Sequence, residues 1–441
     1  MSNNRPLKFS IAFIIIATLL VGFKTNIKDH WKHIDANKTD QAIDTSDPCF
    51  LIISDIHLED SLKQQDIKNN TGYDLWDATK KEMVAIIKTS HPSFILVLGD
   101  ITRHEDISKK DSNSVRENLQ RVIVYFKDTA KIASDVPLIY IPGNNDSWNG
   151  DYSAFYLPDL IYNNYGYPFI NVSSSITVSG ACIANDSLQK QLGCFSIYPL
   201  GKKNKLRLIV LNTVIFSTNN KAFPYASTNS KIKQRIDAKI QMDWFAKQLK
   251  EATNLNEHIL IAMHIPPGTD GHEDGPMWYV DSDSIQNKFL QLTWQYQKNI
   301  IGLLASHTHM DGIRLLRNYN KDSVISLLIS APGITPGHGN NPAIKLVTYN
   351  PADNYSLQNF TTAYMNYWGT KHSGIVKTWN PADSFSFRTV TGYNGTMSML
   401  QYFQNTTPDN IKSFVDSIYT ANSPKKYPEE IDTTIYVDWY K

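Results

Sequence analysis

The sequence Cys49-Phe-Leu-Ile-Ile-Ser-Asp-Ile-His57 decides the fold, because a short apolar run leads directly into two polar side chains. Residues 49–53 have the length and composition of a strand that is buried on both faces. Asp55 and His57 follow this strand at once. Carboxylate and imidazole groups are ligands of divalent transition metals. The stretch therefore predicts a buried strand that ends in a polar site.

Further apolar runs of strand length recur along the chain. They are FILVLG (94–99), PLIYIPG (137–143), RLIVLN (207–212), HILIAM (258–263), IIGLLA (300–305) and VISLLIS (324–330). Helix-length amphipathic stretches at 75–89 and 112–133 lie between several of them, and apolar residues recur at helical spacing in the second. Strands that alternate with helices indicate a layered α/β core.

Most of these runs are followed immediately by a side chain that can bind a metal. Each such residue alone is as readily explained by a turn or a surface histidine, but chance does not repeat the placement in order. In an open α/β sheet the carboxyl ends of the strands converge on one crevice, where residues distant in sequence can meet. We therefore predict a metal centre formed by Asp55, His57, Asp100, Asn144, His264, His307 and His309.

The chemistry of this ligand set favours two divalent ions. Carboxylate and amide oxygens with imidazole nitrogens suit zinc, manganese or iron. Two ions about 3.5–4 Å apart can bind both the attacking and the leaving oxygen of a displacement at phosphorus, and one carboxylate must then bridge them. Asn144 adds a neutral oxygen, which limits the negative charge of the cluster. We expect two Zn²⁺ ions, with Mn²⁺ or iron as alternatives.

The ordered motifs resemble those of the calcineurin-like metallophosphoesterases over about residues 50 to 345. The family motifs D-x-H, G-D, G-N-H-D/E, a lone His and G-H-x-H appear here as Asp55-Ile-His57, Gly99-Asp100, Gly143-Asn144-Asn145-Asp146, His264 and Ser306-His307-Thr-His309. His104 and the sequence His264-Ile-Pro-Pro-Gly268 are similar to the acid sphingomyelinase-like branch. The resemblance implies a four-layer αββα sandwich at 48–345. From about residue 343 the strand pattern weakens into a stretch rich in Tyr, Asn, Ser and Thr, which predicts a C-terminal extension at 346–441 that packs on the core.

The resemblance also assigns roles to the site residues. Asp55, His57 and His309 would hold the first ion, Asn144, His264 and His307 the second, and Asp100 would bridge them. A metal-activated water would attack phosphorus in line with the departing group. His104 would steady the phosphoryl oxygens or protonate the leaving group. We expect Asp146 and Asp311 to orient ligands without binding the ions.

This sequence departs from the family pattern at two positions. Asn145, which we predict to be catalytic together with His104, stands where most relatives have a histidine that serves the leaving group, and an amide cannot deliver a proton at neutral pH. Either His104 takes over, or the leaving group is good enough to need no strong acid. The sequence G-N-N-D is similar to vacuolar endopolyphosphatase-like members of the wider family. Ser306 replaces the glycine before the H-x-H pair, which costs only some backbone freedom.

These features predict a phosphoesterase that acts on a small substrate. The first hypothesis is a phosphodiesterase that hydrolyses sphingomyelin-like or other small phosphodiesters. The second is a phosphomonoesterase or a phosphoanhydride hydrolase acting on nucleotides or polyphosphate with the same centre. The third, a non-catalytic relative that binds a phosphorylated ligand, is disfavoured because all seven metal positions hold competent residues.

The remaining sequence bears on location and partners. The 43 basic and 42 acidic side chains nearly cancel, so we expect no nucleic-acid polymer as a partner. Residues 9–23 form an apolar run with basic flanks, which predicts a cleaved signal peptide or a retained membrane anchor at 1–24, followed by a linker at 25–47. We expect an exported protein that is secreted, periplasmic or lumenal. Cys182 and Cys194 either pair or remain thiols, and the oligomeric state stays open.

Overall fold

The computed structural model describes most of the chain from residue 47 onward. The described residues are 47–67, 69–104, 117–118, 120–125, 136–146, 151–152, 180–219, 228–271, 275–280, 284–369, 376, 378–424 and 431–440. The predicted signal or anchor segment, almost all of the linker and most of the predicted helix at 112–133 lie outside these residues. Within them, no helix has both the length and the apolar character needed to cross a membrane.

Strands and helices alternate through the first two thirds of the chain. The strands are β1 (Cys49–Ile53), β2 (Leu58–Glu59), β3 (Thr71–Gly72), β4 (Ile95–Val97), β5 (Leu138–Tyr140), β6 (Cys182–Asn185), β7 (Phe195–Tyr198), β8 (Leu206–Val210), β9 (His258–Ala262), β10 (Thr269–Asp270), β11 (Gly275–Pro276), β12 (Ile300–Ala305), β13 (Gly312–Arg317), β14 (Val324–Ser330), β15 (Ala343–Asn350), β16 (Ser356–Tyr364), β17 (Ser384–Ser386) and β18 (Tyr436–Val437). The helices are α1 (Tyr73–Ser90), α2 (Gln189–Leu192), α3 (Thr228–Asn254), α4 (Ile285–Gln295), α5 (Phe387–Thr391), α6 (Met399–Gln404), α7 (Pro408–Ile418) and α8 (Ile431–Ile435).

Two large sheets carry the fold. The first has the order β17-β16-β15-β1-β4-β5, and the second has the order β18-β13-β14-β12-β9-β8-β7-β6. In the first sheet β1, β4 and β5 are parallel, and in the second β8, β9, β12 and β14 are parallel. Parallel neighbours end at the same edge of a sheet, so the residues that follow these strands are brought together.

Three apolar clusters hold four layers of helices and sheets together. One cluster fills the space between the sheets and includes Phe50, Leu208 and Leu304. A second packs α3 and α4 against the outer face of the second sheet, and a third packs α1 against the outer face of the first. The predicted α/β class and the helix–sheet–sheet–helix layering are therefore confirmed.

All three cysteines are free thiols.

The C-terminal residues complete both sheets. Residue 346, where the extension was expected to begin, falls inside β15, and β16 and β17 continue the first sheet beyond it. Helices α5, α6 and α7 cover the core between the sheets with Phe387, Phe403 and Phe414. The strand β18 pairs with β13 at the edge of the second sheet.

A buried ion pair joins the two sheets behind the predicted site. Lys345 on β15 donates to Asp311 across 2.5 Å, and the Thr362 hydroxyl donates to the other carboxylate oxygen across 2.6 Å. Both charged side chains are fully buried. Because Asp311 follows His309 by two residues, this pair fixes the chain just beyond the H-x-H motif.

Candidate metal centre

The first half of the site lies beyond the end of β1. Asp55 and His57 follow β1, and His309 follows β12 from the other sheet. The Nε2 atoms of the two histidines are 3.1 Å apart. Asp55 Oδ1 is 3.6 Å from His309 Nε2 and 4.0 Å from His57 Nε2. All three side chains are buried, so this half is a closed cluster of one carboxylate and two imidazoles.

The second half lies beside it, after β5, β9 and β12. His264 Nε2 is 2.9 Å from Asn144 Oδ1. Ligand atoms of Asp100, His264 and His307 all lie within 4.8 Å of one another. His264 and Asn144 are buried, whereas His307 is half-buried. This half is therefore partly exposed at His307.

Asp100 stands between the two halves. Its Oδ2 is 3.4 Å from His57 Nε2 in the first half and 3.3 Å from His264 Nε2 in the second. A single carboxylate oxygen thus faces a ligand nitrogen of each half. The structure brings all seven residues predicted as ligands into one cluster.

The backbone at five of these residues adopts a conformation that few side chains tolerate. The φ angles are positive at Asp55 (47°), His57 (45°), Asp100 (53°), His307 (76°) and His309 (62°). A non-glycine residue in this region costs of order 1–3 kcal/mol, and such residues cluster at functional sites. The turns that follow the strands therefore aim the side chains into the site at the expense of local stability.

Two glycines allow the turns after β4 and β5 to touch. A side chain on Gly99 would collide with the backbone of Gly143, and a side chain on Gly143 would collide with Asp100. Gly99 also has a φ of 90°. This close approach lets the Asn145 backbone N–H donate to Asp100 Oδ1 across 2.8 Å. The G-D and G-N-N-D motifs are thus one contiguous structural unit.

Asp146 orients this unit without facing the cluster. Its carboxylate accepts hydrogen bonds from the backbone N–H groups of Asp100 and Ile101 at 2.9 and 2.8 Å, and from the Tyr140 hydroxyl at 2.6 Å. The Gly143 N–H donates to it as well. These contacts match the orienting role that the sequence analysis expected of Asp146. Asp311 has a different place, in the ion pair with Lys345.

The donor set fits a bound cation. His57 Nδ1 lies 2.9 Å from the Thr102 carbonyl, which can only accept, so the proton is on Nδ1 and Nε2 carries a lone pair. Asp55 Oδ1 is buried and has no hydrogen-bond partner among the described residues. Burying a carboxylate oxygen and a nitrogen lone pair side by side is costly unless a cation lies between them. The first half therefore has the chemistry of a metal site.

The second half also needs a positive charge. His264 Nδ1 donates to the Leu98 carbonyl across 2.6 Å, so its Nε2 faces two acceptors, Asn144 Oδ1 and Asp100 Oδ2. Burial alone would lower the pKa of His264, but the Asp100 carboxylate raises it to about 9. Without a metal, a proton on His264 Nε2 neutralises Asn144 Oδ1 and Asp100 Oδ2. A metal ion bound there would neutralise the same two oxygens and displace the proton.

The protonation of the remaining ligands differs between the halves. Burial, with the charge of His104, holds the pKa of His57 well below its usual value, and burial with the charge of His338 does the same for His309. Burial raises the pKa of Asp55 to about 7. The two histidines of the first half are thus neutral ligands across the physiological range.

The two predicted catalytic residues occupy different positions. The His104 ring stacks on His57 with centroids 3.6 Å apart, and a His104 nitrogen lies within 4.8 Å of the ligand nitrogens of His57 and His309. Asn145 Nδ2 donates to Asp100 Oδ2 across 2.9 Å. His104 therefore borders the first half, whereas Asn145 is engaged with the carboxylate between the halves.

Other residues at the site escaped the sequence analysis. Asp151 accepts from Asn144 Nδ2 across 2.7 Å, and the Tyr152 hydroxyl is 3.3 Å from His307 Nε2. The Asn69 carbonyl is 3.0 Å from His104 Nδ1. The His338 ring meets the His309 ring edge-on, with centroids 4.6 Å apart. None of the four directly follows an apolar run, so strand-end placement could not reveal them.

Comparisons with known proteins agree with this architecture. The family model of the calcineurin-like phosphoesterases matches residues 50–311. The cyclic GMP-AMP phosphodiesterase SMPDL3A of Homo sapiens is 24% identical over 293 residues, which are 62% of this chain and 56% of that protein. Sphingomyelin phosphodiesterase 1 of Caenorhabditis elegans is 24% identical over 298 residues, which are 65% of this chain and 47% of that protein.

The chain spans about half the length of these two curated relatives. Among solved structures, a dimetal phosphatase from Danio rerio is similar with a TM-score of 0.45 and 14% identity, over 71% of this chain and 95% of that chain. The family model covers more than half of the chain and includes every residue of the metal cluster. The chain therefore belongs to the calcineurin-like phosphoesterase family of hydrolases.

Proposed function

We propose that this chain is a binuclear-metal phosphodiesterase that hydrolyses a small phosphodiester. The observation that carries the proposal is the position of Asp100, whose Oδ2 faces a ligand nitrogen of each half at 3.4 and 3.3 Å. A carboxylate placed in this way suits two ions that share it. Bound there, the ions would supply Lewis-acid activation of water and of the phosphoryl group.

The protein side chains contribute positioning around those ions. Asp55, His57 and His309 would hold one ion, and Asn144, His264 and His307 the other. Asp146 fixes the turn that carries Asp100 through hydrogen bonds to three backbone N–H groups. The strained turns at the strand ends aim the ligands in advance, so binding needs little rearrangement.

His104 would bind the phosphoryl oxygens. Its Nδ1 faces the Asn69 carbonyl and Asn70 Oδ1, both at 3.0 Å, which orients the opposite edge of the ring toward the cluster. The ring is stacked on His57, so it cannot tilt without breaking that contact. With the proton on Nδ1, the Nε2 edge donates to a phosphoryl oxygen only when the ring is protonated, and the negative charge of a bound phosphoryl group favours that form.

Asn145 keeps a second candidate function open. Its backbone N–H and its Nδ2 both donate to Asp100, and an amide delivers no proton at neutral pH. This arrangement suits a leaving group that departs without an acid, such as a phosphate released from a phosphoanhydride. The two named relatives are phosphodiesterases of cyclic GMP-AMP and of sphingomyelin, which favours the diester as the first candidate.

The metal and the location follow as further parts of the proposal. The mixture of imidazole, carboxylate and amide ligands suits Zn²⁺ first, and Mn²⁺ or iron next. The apolar run at residues 9–23 with its basic flanks supports export, with cleavage or with retention as an anchor. Both statements are open to direct measurement on the purified protein.

A substrate panel tests the proposed function. The purified full chain, loaded in turn with Zn²⁺ and Mn²⁺, is assayed on bis-4-nitrophenyl phosphate, sphingomyelin, cyclic GMP-AMP, ATP and polyphosphate. We expect metal-dependent hydrolysis of at least one diester, abolished by chelation and restored by the ion. Faster hydrolysis of ATP or polyphosphate than of every diester would favour the second candidate. No hydrolysis of any compound would contradict both.

A further inference from the structure

We propose that Ser306 is a positioning residue that fixes the ligand His264 and sets how tightly the second half of the centre holds its ion. The proposal rests on the proposed function, because it concerns one half of the binuclear centre. Ser306 follows β12 directly and stands where the family motif has a glycine. From the sequence we expected this serine only to limit backbone freedom, but the structure places its hydroxyl against His264.

The Ser306 hydroxyl joins His264 to the turn that carries Asp100. It donates to the Leu98 carbonyl across 3.0 Å, and its oxygen lies 3.0 Å from His264 Nδ1. The same carbonyl accepts a hydrogen bond from His264 Nδ1 across 2.6 Å. Leu98 follows β4, His264 lies just beyond β9 and Ser306 follows β12. The hydroxyl, the imidazole and the carbonyl therefore form one cluster at the ends of three strands.

The contacts of Ser306 belong to the second half alone. Its backbone N–H donates to the His264 carbonyl across 3.0 Å, and it immediately precedes His307. Ser306 thus contacts one ligand of the second half and is covalently joined to another. Among the described residues, none of its hydrogen bonds reaches a ligand of the first half. Removing the hydroxyl should therefore affect one ion and not the other.

The hydroxyl acts on the orientation of the His264 ring. Ser306 and His264 are both fully buried, so bulk water does not compete for these contacts. The Nδ1 proton faces two oxygens, the Leu98 carbonyl and Ser306 Oγ. A ring turned over about its Cβ–Cγ bond would place a carbon against both oxygens and would turn Nε2 away from Asn144 and Asp100. Such outer contacts of a ligand imidazole contribute about 10–100-fold in metal affinity.

The test measures the two Zn²⁺ dissociation constants of the full-length protein. Metal-free wild type and Ser306→Ala are titrated with Zn²⁺ in competition with a chelating dye, at one fixed pH. The Leu98 carbonyl still holds the ring in the variant, so we expect the smaller of these effects: one binding step weakened about tenfold, and the other changed by less than about twofold. Ser306→Gly removes the same hydroxyl and restores the residue of the family motif, so we expect the same loss.

Three further variants assign the affected step and exclude a general effect. His264→Ala should abolish the step that Ser306→Ala weakens, and His57→Ala should abolish the other. Ser326→Ala removes a buried serine hydroxyl on β14 that has no hydrogen-bond partner among the described residues. We expect both of its dissociation constants to equal those of the wild type. Thermal unfolding of each metal-free variant shows whether the substitution destabilises the fold itself.

Each outcome supports or overturns the proposal. Loss of affinity in the His264 step alone, in both Ser306 variants, supports it. Two unchanged dissociation constants would overturn it, and so would equal weakening of both steps together with a lower unfolding temperature. Failure of the proposed function is seen separately in the wild type. A wild type that binds two ions but hydrolyses no diester would contradict the proposed function and leave the role of Ser306 standing, whereas a wild type that binds one ion would contradict both.

Discussion

The two halves of the metal centre are built from similar ligands but surrounded by different neighbours. In the first half His57 and His309 are in ring contact with two further histidines, His104 and His338. In the second half the neighbour of Asn144 is Asn145, an amide that donates to Asp100. The pKa of His57 is lowered by burial, whereas that of His264 is raised to about 9 by Asp100.

This difference predicts that the two halves contribute differently to turnover. Among the described residues of the cluster, imidazoles that are not predicted ligands lie only beside the first half, so we expect the imidazole contacts to substrate there. In the second half, Asn144 faces His264 and the Asn145 side chain donates a hydrogen bond to Asp100. Changes beside the first half should therefore affect turnover most strongly, and changes at Asn145 should affect it less.

The largest expected effect concerns the ion pair that supports the first half. Lys345→Ala leaves Asp311 buried without its cation, which should lower the free energy of unfolding by about 3–5 kcal/mol. Urea denaturation measures this loss. Lys239→Ala removes an exposed pair with Asp243 and should change the value by less than about 1 kcal/mol. Equal effects of the two substitutions would show that the buried pair does not support the site.

His104→Ala should come next, with a loss of about 100-fold in kcat at unchanged metal content. The reason is the loss of the imidazole that we place against the phosphoryl oxygens, so the loss should be similar for good and poor leaving groups. Steady-state kinetics on two aryl diesters checks this expectation. If His104→Ala instead loses far more rate on the poorer leaving group, then His104 serves the leaving group and not the phosphoryl oxygens.

Metal affinity should rise with pH because the metal-free site holds protons that an ion must displace. The pKa of His264 is raised to about 9 and that of Asp55 to about 7, so both groups are protonated below those values. Displaced protons return to solvent, which favours binding at higher pH. We expect the affinity for Zn²⁺ to fall by about tenfold per pH unit below pH 9, and more steeply below pH 7. Competition titrations with a chelating dye would contradict this if affinity were constant between pH 6 and 9.

The smallest effect is expected at Asn145. Asn145→Ala removes the Nδ2 bond to Asp100 but keeps the backbone N–H bond at 2.8 Å, so we expect about a tenfold loss in kcat. The same diester assay applies. A loss in kcat larger than that of His104→Ala would mean that the side chains beside the second half matter more for turnover. That result would contradict the predicted difference between the halves.

The sequence predicted the strands of the site well because they are buried on both faces. The run at 49–53 is β1 with every residue buried, and the helix expected at 75–89 is α1 from Tyr73 to Ser90. Each apolar run that a predicted ligand follows is a strand in the structure, and its carboxyl end lies beside the metal cluster. The strands β16, β17 and β18 were missed, because their mixed polar and apolar residues lack the buried-strand pattern.

The ligands could be predicted for the same reason, and their neighbours could not. Asp55 and His264 follow buried strands directly, whereas Asn69 and His338 reach the site from loops whose path depends on tertiary packing. The positive φ angles at Asp55 and His309 also have no signature in the sequence. A site residue that directly follows a buried strand can thus be predicted from the sequence, whereas a site residue in a loop cannot.

The most direct test of the central claim counts the ions that the cluster holds. Metal-free wild type and Asp100→Ala are reconstituted with Zn²⁺, dialysed and measured by inductively coupled plasma mass spectrometry. Because Asp100 faces both halves, we predict two ions per wild-type chain and at most one in Asp100→Ala, with hydrolysis reduced by at least about 1,000-fold. One ion or none in the wild type, or two ions retained in Asp100→Ala, would contradict a shared binuclear centre.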